Sequence, residues 1–216
     1  MQNQVSDKNS SQQPNNSWIV ELSKTVILSI FLALGIRTFV AEARWIPTGS
    51  MEPTLHGVQD QWKADKIIID KVKYRFADPE RGDIVVFSPT EELKREKYND
   101  AFIKRIIGLP GEKVEIKNGK VYINNQLLPE DKYLSPSIQT SVEVCTSATQ
   151  PPFLAQPETI PPDSYLVLGD NRSSSYDGRC WGLVPRENII GRAVVRFWPL
   201  NKVGGLDDTP LYPSAK

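Results

Sequence analysis

Residues 18 to 45 read WIVELSKTVILSIFLALGIRTFVAEARW, and they contain the one strongly apolar segment of the chain. Its charge-free core, Thr25 to Ile36, is 12 residues long, a length that suits a buried helix or a signal-peptide core better than a membrane span. Counted from Trp18 to Val40 the segment has 23 residues, about 34 Å of helix. It spans a bilayer if Glu21 and Lys24 pair at i,i+3 and Arg37 snorkels to an interface. One membrane anchor over residues 18–43 is therefore expected.

The competing reading is a cleaved signal peptide, because Ala41-Glu42-Ala43 has the small-x-small form of a cleavage site just past an apolar core. Arg37, between core and triplet, argues against it, as does the polar tail in front. That tail, residues 1–17, lacks apolar periodicity and reads as disordered. Helical backbone through 41–43 is expected to keep the triplet from being cut. Lys8 and Lys24 on one side balance Arg37 and Arg44 on the other, so charge does not orient the span.

From Trp45 on the pattern changes to β. ADKIIIDKV, GDIVVFS, AFIKRII, SYLVLGD and ENIIGRAVVRFW are short β-branched or aromatic runs broken by Gly, Pro, Asn and Asp. KVEIKNGKVYIN carries Asn118-Gly119 between alternating strands, a type I′ hairpin signal. A Pro/Ser/Thr/Gln-rich stretch at 129–162 reads as a long loop or small insertion. The expectation is a mainly β protein: an antiparallel sheet domain over 44–216, a smaller loop-rich β insertion at about 117–160, and one N-terminal transmembrane helix.

The 26 basic and 26 acidic residues balance, so a polyanion partner such as nucleic acid is not expected. One histidine and two cysteines exclude a His-rich or four-cysteine metal site, and no metal or cofactor is expected. Cys145 and Cys180 stand 35 positions apart and read equally as a disulfide or as two thiols.

The stretch RWIPTGSMEPTLHG, Arg44 to Gly57, holds Ser50 in a collar stiffened by Pro47 and Pro53. A serine in such a loop is ordinarily a turn residue; as a nucleophile it needs a base. His56 is too near in sequence to reach back easily and reads as a surface residue. Lysine serves when burial lowers its pKa, and Lys104 in AFIKRIIGLPG alternates with Phe102 and Ile106 on one strand face, opposite Ile103, Arg105 and Ile107. Moving such an amine from about 10.4 to near 7.5 destabilises the ammonium by roughly 4 kcal/mol. Snorkelling from an edge strand is the equally weighted alternative. GDNRSSSYDGRCWG adds a turn and a run of hydroxyls after a buried strand.

Taken together, TGSMEPTL, RGDIVVF, IKRIIGLPGEKVEI and GDNRSSSYDGRCWG, in this order behind one apolar segment, resemble bacterial-type signal peptidase I, the Ser/Lys class of leader peptidase, from about residue 20 to 198. The resemblance implies a β catalytic domain on the outer face of a membrane that cuts signal peptides from exported preproteins after small-x-small sites. It implies Ser50 as nucleophile and Lys104 as general base, with Thr48 and the Ser50 N–H as oxyanion donors. Ser175 would orient the lysine amine. Arg105, Asp170, Arg172, Asp177 and Arg179 would support the site, and Ile46, Met51, Leu55, Phe102 and Ile103 would line pockets for small side chains. Its partners would be signal peptides and membrane lipid. The sequence departs from the commonest form of the last block at Ser173, where an acid is frequent, and at Gly178, where serine is frequent. A β domain that only binds partners, or a self-cleaving regulator with a DNA-binding segment, are the other classes considered.

Overall fold

The computed structural model describes residues 17–145 and 152–206. The tail expected to be disordered lies outside them except for Ser17, which begins a helix. That helix, α1 (Ser17–Phe39), is exposed all round. Its Lys24 ammonium bonds Glu21 at 3.3 Å, and the Thr25 and Ser29 hydroxyls donate to carbonyls four residues back. These four side chains thus find their partners within the helix itself.

The helix stops earlier than the sequence suggests. Residues Ala41–Trp45 form strand β1, paired antiparallel with β2 (Lys66–Asp70) from Ala41↔Asp70 to Trp45↔Lys66. The Ala41-Glu42-Ala43 triplet is therefore extended, not helical as expected. Local propensity favours helix at Ala and Glu, and pairing with β2 overrides it.

Further along come β3 (Ile84–Phe87), the short α2 (Glu91–Arg95), β4 (Phe102–Gly108), β5 (Lys113–Lys117), β6 (Lys120–Ile123), β7 (Gln126–Leu127), β8 (Glu158–Thr159), β9 (Ser164–Leu168), α3 (Gly178–Trp181), β10 (Val184–Pro185), β11 (Ile189–Trp198) and β12 (Gly204–Gly205). The large antiparallel sheet runs β1-β2-β11-β3-β4-β9-β10, with β12 beside β11. Register shifts in β11 and between β4 and β9 bend it. Strands β7-β6-β5-β8 form a second, smaller sheet, which begins at Lys113, a little before the expected insertion. Its hairpin turn is the one the sequence announces: Asn118 has φ 51° and Gly119 φ 71° between Lys117 and Lys120.

Three apolar clusters hold these layers together. One joins Val85, Phe87, Ile106, Val167 and Trp181; one sits under the small sheet around Val114, Val121, Leu134 and Leu166; the third packs Ile46, Met51 and Leu55 against Ile67, Ile69, Ile84 and Val86. Cys145 and Cys180, left open by the sequence, are joined with S–S 2.00 Å. The bond ties the insertion to α3.

Candidate active site

The chain leaves β1 and crosses itself before entering β2. Ile46 N–H donates to Asp65 O at 3.0 Å, Val58 N–H to Ile46 O at 3.2 Å, and Asp65 N–H to His56 O at 2.9 Å. At the crossing a Cβ on Gly57 would stand 1.8 Å from Thr48 O, so only glycine lets the two strands of the loop touch. Residues Gly49–Met51 make a single turn that sends Met51 into the core and leaves Ser50 half-buried.

The loop is then pinned from across the sheet. Asn171 N–H donates to Ser50 O at 3.1 Å, Asn171 Nδ2 to Gly49 O at 3.0 Å, and Thr54 Oγ1 to Asp170 Oδ2 at 2.6 Å. Asp170 in turn receives Arg105 Nε at 2.8 Å and Nη2 at 2.7 Å, both side chains wholly buried. Such a forked pair fixes geometry as well as charge.

Within this frame Lys104 Nζ donates to Ser50 Oγ at 2.8 Å and to Ile103 O at 2.9 Å. Thr48 Oγ1 donates to Ser50 Oγ at 3.3 Å. The strand alternation read from the sequence puts Lys104 between Phe102 and Ile106, with Nζ 5.7 Å from the Phe102 ring centre. Burial pulls the Lys104 pKa down to about 8, against the opposing pull of Asp177 and Asp170. Desolvation wins because the amine is wholly enclosed while the two carboxylates are committed to arginines. Asp177 is itself pushed up by burial, but Arg179 and the Gly169 N–H hold it below the ordinary carboxylate value.

The loop after β9 is built on buried arginines. Arg172 bonds Glu130 at 2.5 Å, Thr140 Oγ1 at 2.6 Å and Gly169 O at 3.0 Å. Arg179 bonds Asp177, Ser141 O and Arg172 O, each at 2.8 Å. Glu130, Thr140 and Ser141 belong to the insertion, so the small sheet and its loops brace the site. Sequence reasoning missed these three, along with Thr54, Gly57 and Asn171, although the last three lie in the two stretches it singled out, RWIPTGSMEPTLHG and GDNRSSSYDGRCWG.

Several expected residues are placed otherwise. Ser175 Oγ is buried and makes no hydrogen bond among the described residues; beside Ser50 Oγ, the Lys104 amine bonds Ile103 O. Ser175 packs against Gly169, where an added Cβ would lie 2.1 Å from Ser175 Oγ and 2.4 Å from Ser50 O. Ile46, Met51, Leu55 and Ile103 are core side chains, with Met51 and Leu55 wholly inaccessible. All four belong to one apolar cluster beneath the Ser50 loop: the turn at Gly49–Met51 sends Met51 into it, and Ile103 enters it from β4. Phe102 is half-buried beside Lys104. His56 Nδ1 is engaged by Glu52 Oε1 at 2.6 Å, in keeping with its reading as a loop residue. Ser173 is exposed and bonds Asn171 Oδ1, while Gly178 abuts Val167 O, which a Cβ would approach to 2.8 Å.

A loop hydroxyl in contact with a buried lysine on a strand of an antiparallel framework has the parts of a hydrolytic centre, and comparison with known proteins gives the class as peptidase. The family described as signal peptidase, peptidase S26, matches residues 19–198. The chain is 52% identical over 204 residues to signal peptidase I of Leptolyngbya laminosa, covering 94% of this chain and 91% of that one. It is 50% identical over 201 residues to the probable signal peptidase I-2 of Synechocystis sp., covering 93% and 83%. Signal peptidase IB of Staphylococcus aureus is 32% identical over 190 residues, covering 86% and 90%. The chain belongs to the signal peptidase family and is of the bacterial type I kind.

Proposed function

We propose that the chain, as a signal peptidase, removes signal peptides from preproteins with Ser50 as nucleophile and Lys104 as general base. The observation that carries this is the 2.8 Å contact between Ser50 Oγ and an amine whose burial brings its pKa to about 8. At that value a useful fraction is neutral near physiological pH and can accept a proton. Nζ takes the Oγ proton as Oγ attacks the scissile carbonyl, and the developing oxyanion is met by the Ser50 N–H and the Thr48 hydroxyl. Collapse breaks the C–N bond, and the leaving amine receives its proton from Lys104. Water, deprotonated by the same amine, then hydrolyses the acyl ester and restores Ser50. The role of Arg105, Asp170, Arg172, Asp177 and Arg179 is to hold the two loops in register.

The substrate would bind extended beside β4. β3 pairs with Phe102–Arg105, whereas β9 pairs only from Arg105 onward. The Phe102–Lys104 edge facing away from β3 is thus available for an added strand. In this reading α1 is a single membrane anchor and the β framework lies on the outer side, where exported preproteins emerge. The test is digestion of one preprotein by the purified full chain in detergent, with mass analysis of the product. A single cut after a small-x-small triplet is expected. An intact preprotein, or cuts scattered without regard to small residues, would overturn the reading.

A further inference from the structure

We propose that the junction between α1 and the β framework binds the headgroup of an anionic phospholipid through Arg37, Arg75 and Phe76. The inference rests on α1 being a membrane anchor. Only Val40 separates α1 from β1, so the turn that follows β2 comes to lie against the last turn of the helix. Lys71 N–H donates to Val40 O at 2.9 Å and Lys71 Nζ to Arg37 O at 3.2 Å. The Arg75 guanidinium lies 5.6 Å from the Phe39 ring centre. These contacts fix residues 71–76 to the end of the helix.

What this corner presents outward is apolar surface with unmatched positive charge. Phe76 is 86% exposed, Phe39 56% and Val40 46%. The neighbouring carboxylates are already engaged: Asp70 by the Val72 and Lys73 N–H groups, Glu42 by Lys71 and Arg44, Asp78 by Arg186, and Glu80 and Asp83 by Lys73. Arg37 and Arg75 have no carboxylate within ion-pair distance among the described residues. Trp18–Phe39 is 22 residues, about 33 Å of helix against a hydrocarbon core of about 30 Å. Arg37 to Val40, and the turn held against them, therefore sit at the level of the lipid phosphates. A guanidinium fork matches a phosphodiester, and an exposed phenyl beside it enters the acyl boundary. Lipid is the fitting occupant because, in the anchor reading, it already surrounds α1, whose apolar stretch has no residue buried by the protein. An anionic headgroup is favoured because it leaves its phosphate charge for the arginines. β1 runs from this corner directly toward the Ser50 loop, so a headgroup held here sets the height of the site above the membrane.

The test uses the full chain reconstituted in phosphatidylcholine vesicles, with spin-labelled phosphatidylglycerol and phosphatidylcholine as probes. Wild type should prefer phosphatidylglycerol by about fivefold or more, the expectation for one basic side chain at an anionic surface. Arg37→Gln/Arg75→Gln should bring the ratio close to one, Arg37→Lys/Arg75→Lys should keep much of it, and Lys117→Gln, in the distant hairpin, should change nothing. An undiminished preference in the double glutamine variant, or an equal loss in Lys117→Gln, would overturn the proposal. Release of wild type from the vesicles by alkaline carbonate would overturn the anchor reading and the proposal with it. Retention without lipid preference overturns the proposal alone.

Discussion

Lys104 Nζ meets Ser50 Oγ at 2.8 Å although the two residues stand 54 positions apart, one on β4 and one in the loop after β1. Because burial holds the amine near 8, preprotein cleavage should rise with pH through about 8 and level off above it. A rate still climbing at pH 10 would show that the working base is not this lysine.

The same burial has a consequence for folding. The unfolded lysine titrates near 10.4, so between about 8 and about 10.4 the unfolded chain binds a proton that the folded one does not, and stability rises with pH across that window. Below it the folded state carries a desolvated ammonium at a cost of roughly 3 kcal/mol. Lys104→Met should therefore be inactive yet more stable than wild type at neutral pH, with the gap closing toward pH 10.5. Urea unfolding of both proteins at pH 7 and pH 10 checks this.

Gly169 is the point where both loops touch. An alanine there drives a methyl into Ser175 Oγ and Ser50 O; the backbone carbonyl has little room to move. Gly169→Ala should lower kcat at least tenfold and reduce Tm, whereas Gly204→Ala, with nothing within 4 Å, should be silent in both. Equal behaviour of the two would remove the close packing at Gly169 from the account.

Asp170 neutralises Arg105 in a fully buried pair and also accepts from Thr54. Asp170→Ala strands a buried guanidinium and should destabilise by about 3–5 kcal/mol. Thr54→Val, which removes the tie from the Ser50 loop to Asp170 and a long contact from Arg105 Nη2, should cost about 1 kcal/mol in stability with a larger effect on kcat than on KM. Urea unfolding and steady-state kinetics of the two variants separate support of the fold from support of the loop.

Thr48 is exposed, 3.3 Å from Ser50 Oγ, and its proposed role is realised only as charge develops on the carbonyl oxygen. Thr48→Ser keeps the donor and should stay within about tenfold of wild type. Thr48→Val keeps the shape and should lose about 10²–10³ in kcat with KM little changed. A valine variant with wild-type kcat would remove Thr48 from the oxyanion hole.

What the sequence revealed was local in origin. The Asn118-Gly119 hairpin, the apolar helix and the alternation that buries Lys104 each follow from residues a few positions apart. The extension of Ala41–Trp45 was hidden because its cause is pairing with β2, more than twenty residues away. The contacts that seat the Ser50 loop, Thr54 on Asp170 across 116 positions and Asn171 on Gly49 across 122, leave no periodic trace. Met51 and Leu55 carried the right chemistry for a pocket, but which way a loop residue points is decided by the turn, and this turn directs both into the core. Spacing alone could not pair Cys145 with Cys180, since the intervening chain forms parts of both sheets.

The most direct measurement of the central claim is preprotein processing by the purified full chain, wild type beside Ser50→Ala. The substitution deletes one oxygen from a half-buried loop residue and no core volume, so the fold and Tm should be unchanged while no mature product forms beyond a trace. Mature protein released by Ser50→Ala at anything near the wild-type rate would contradict the assignment of Ser50 as the nucleophile.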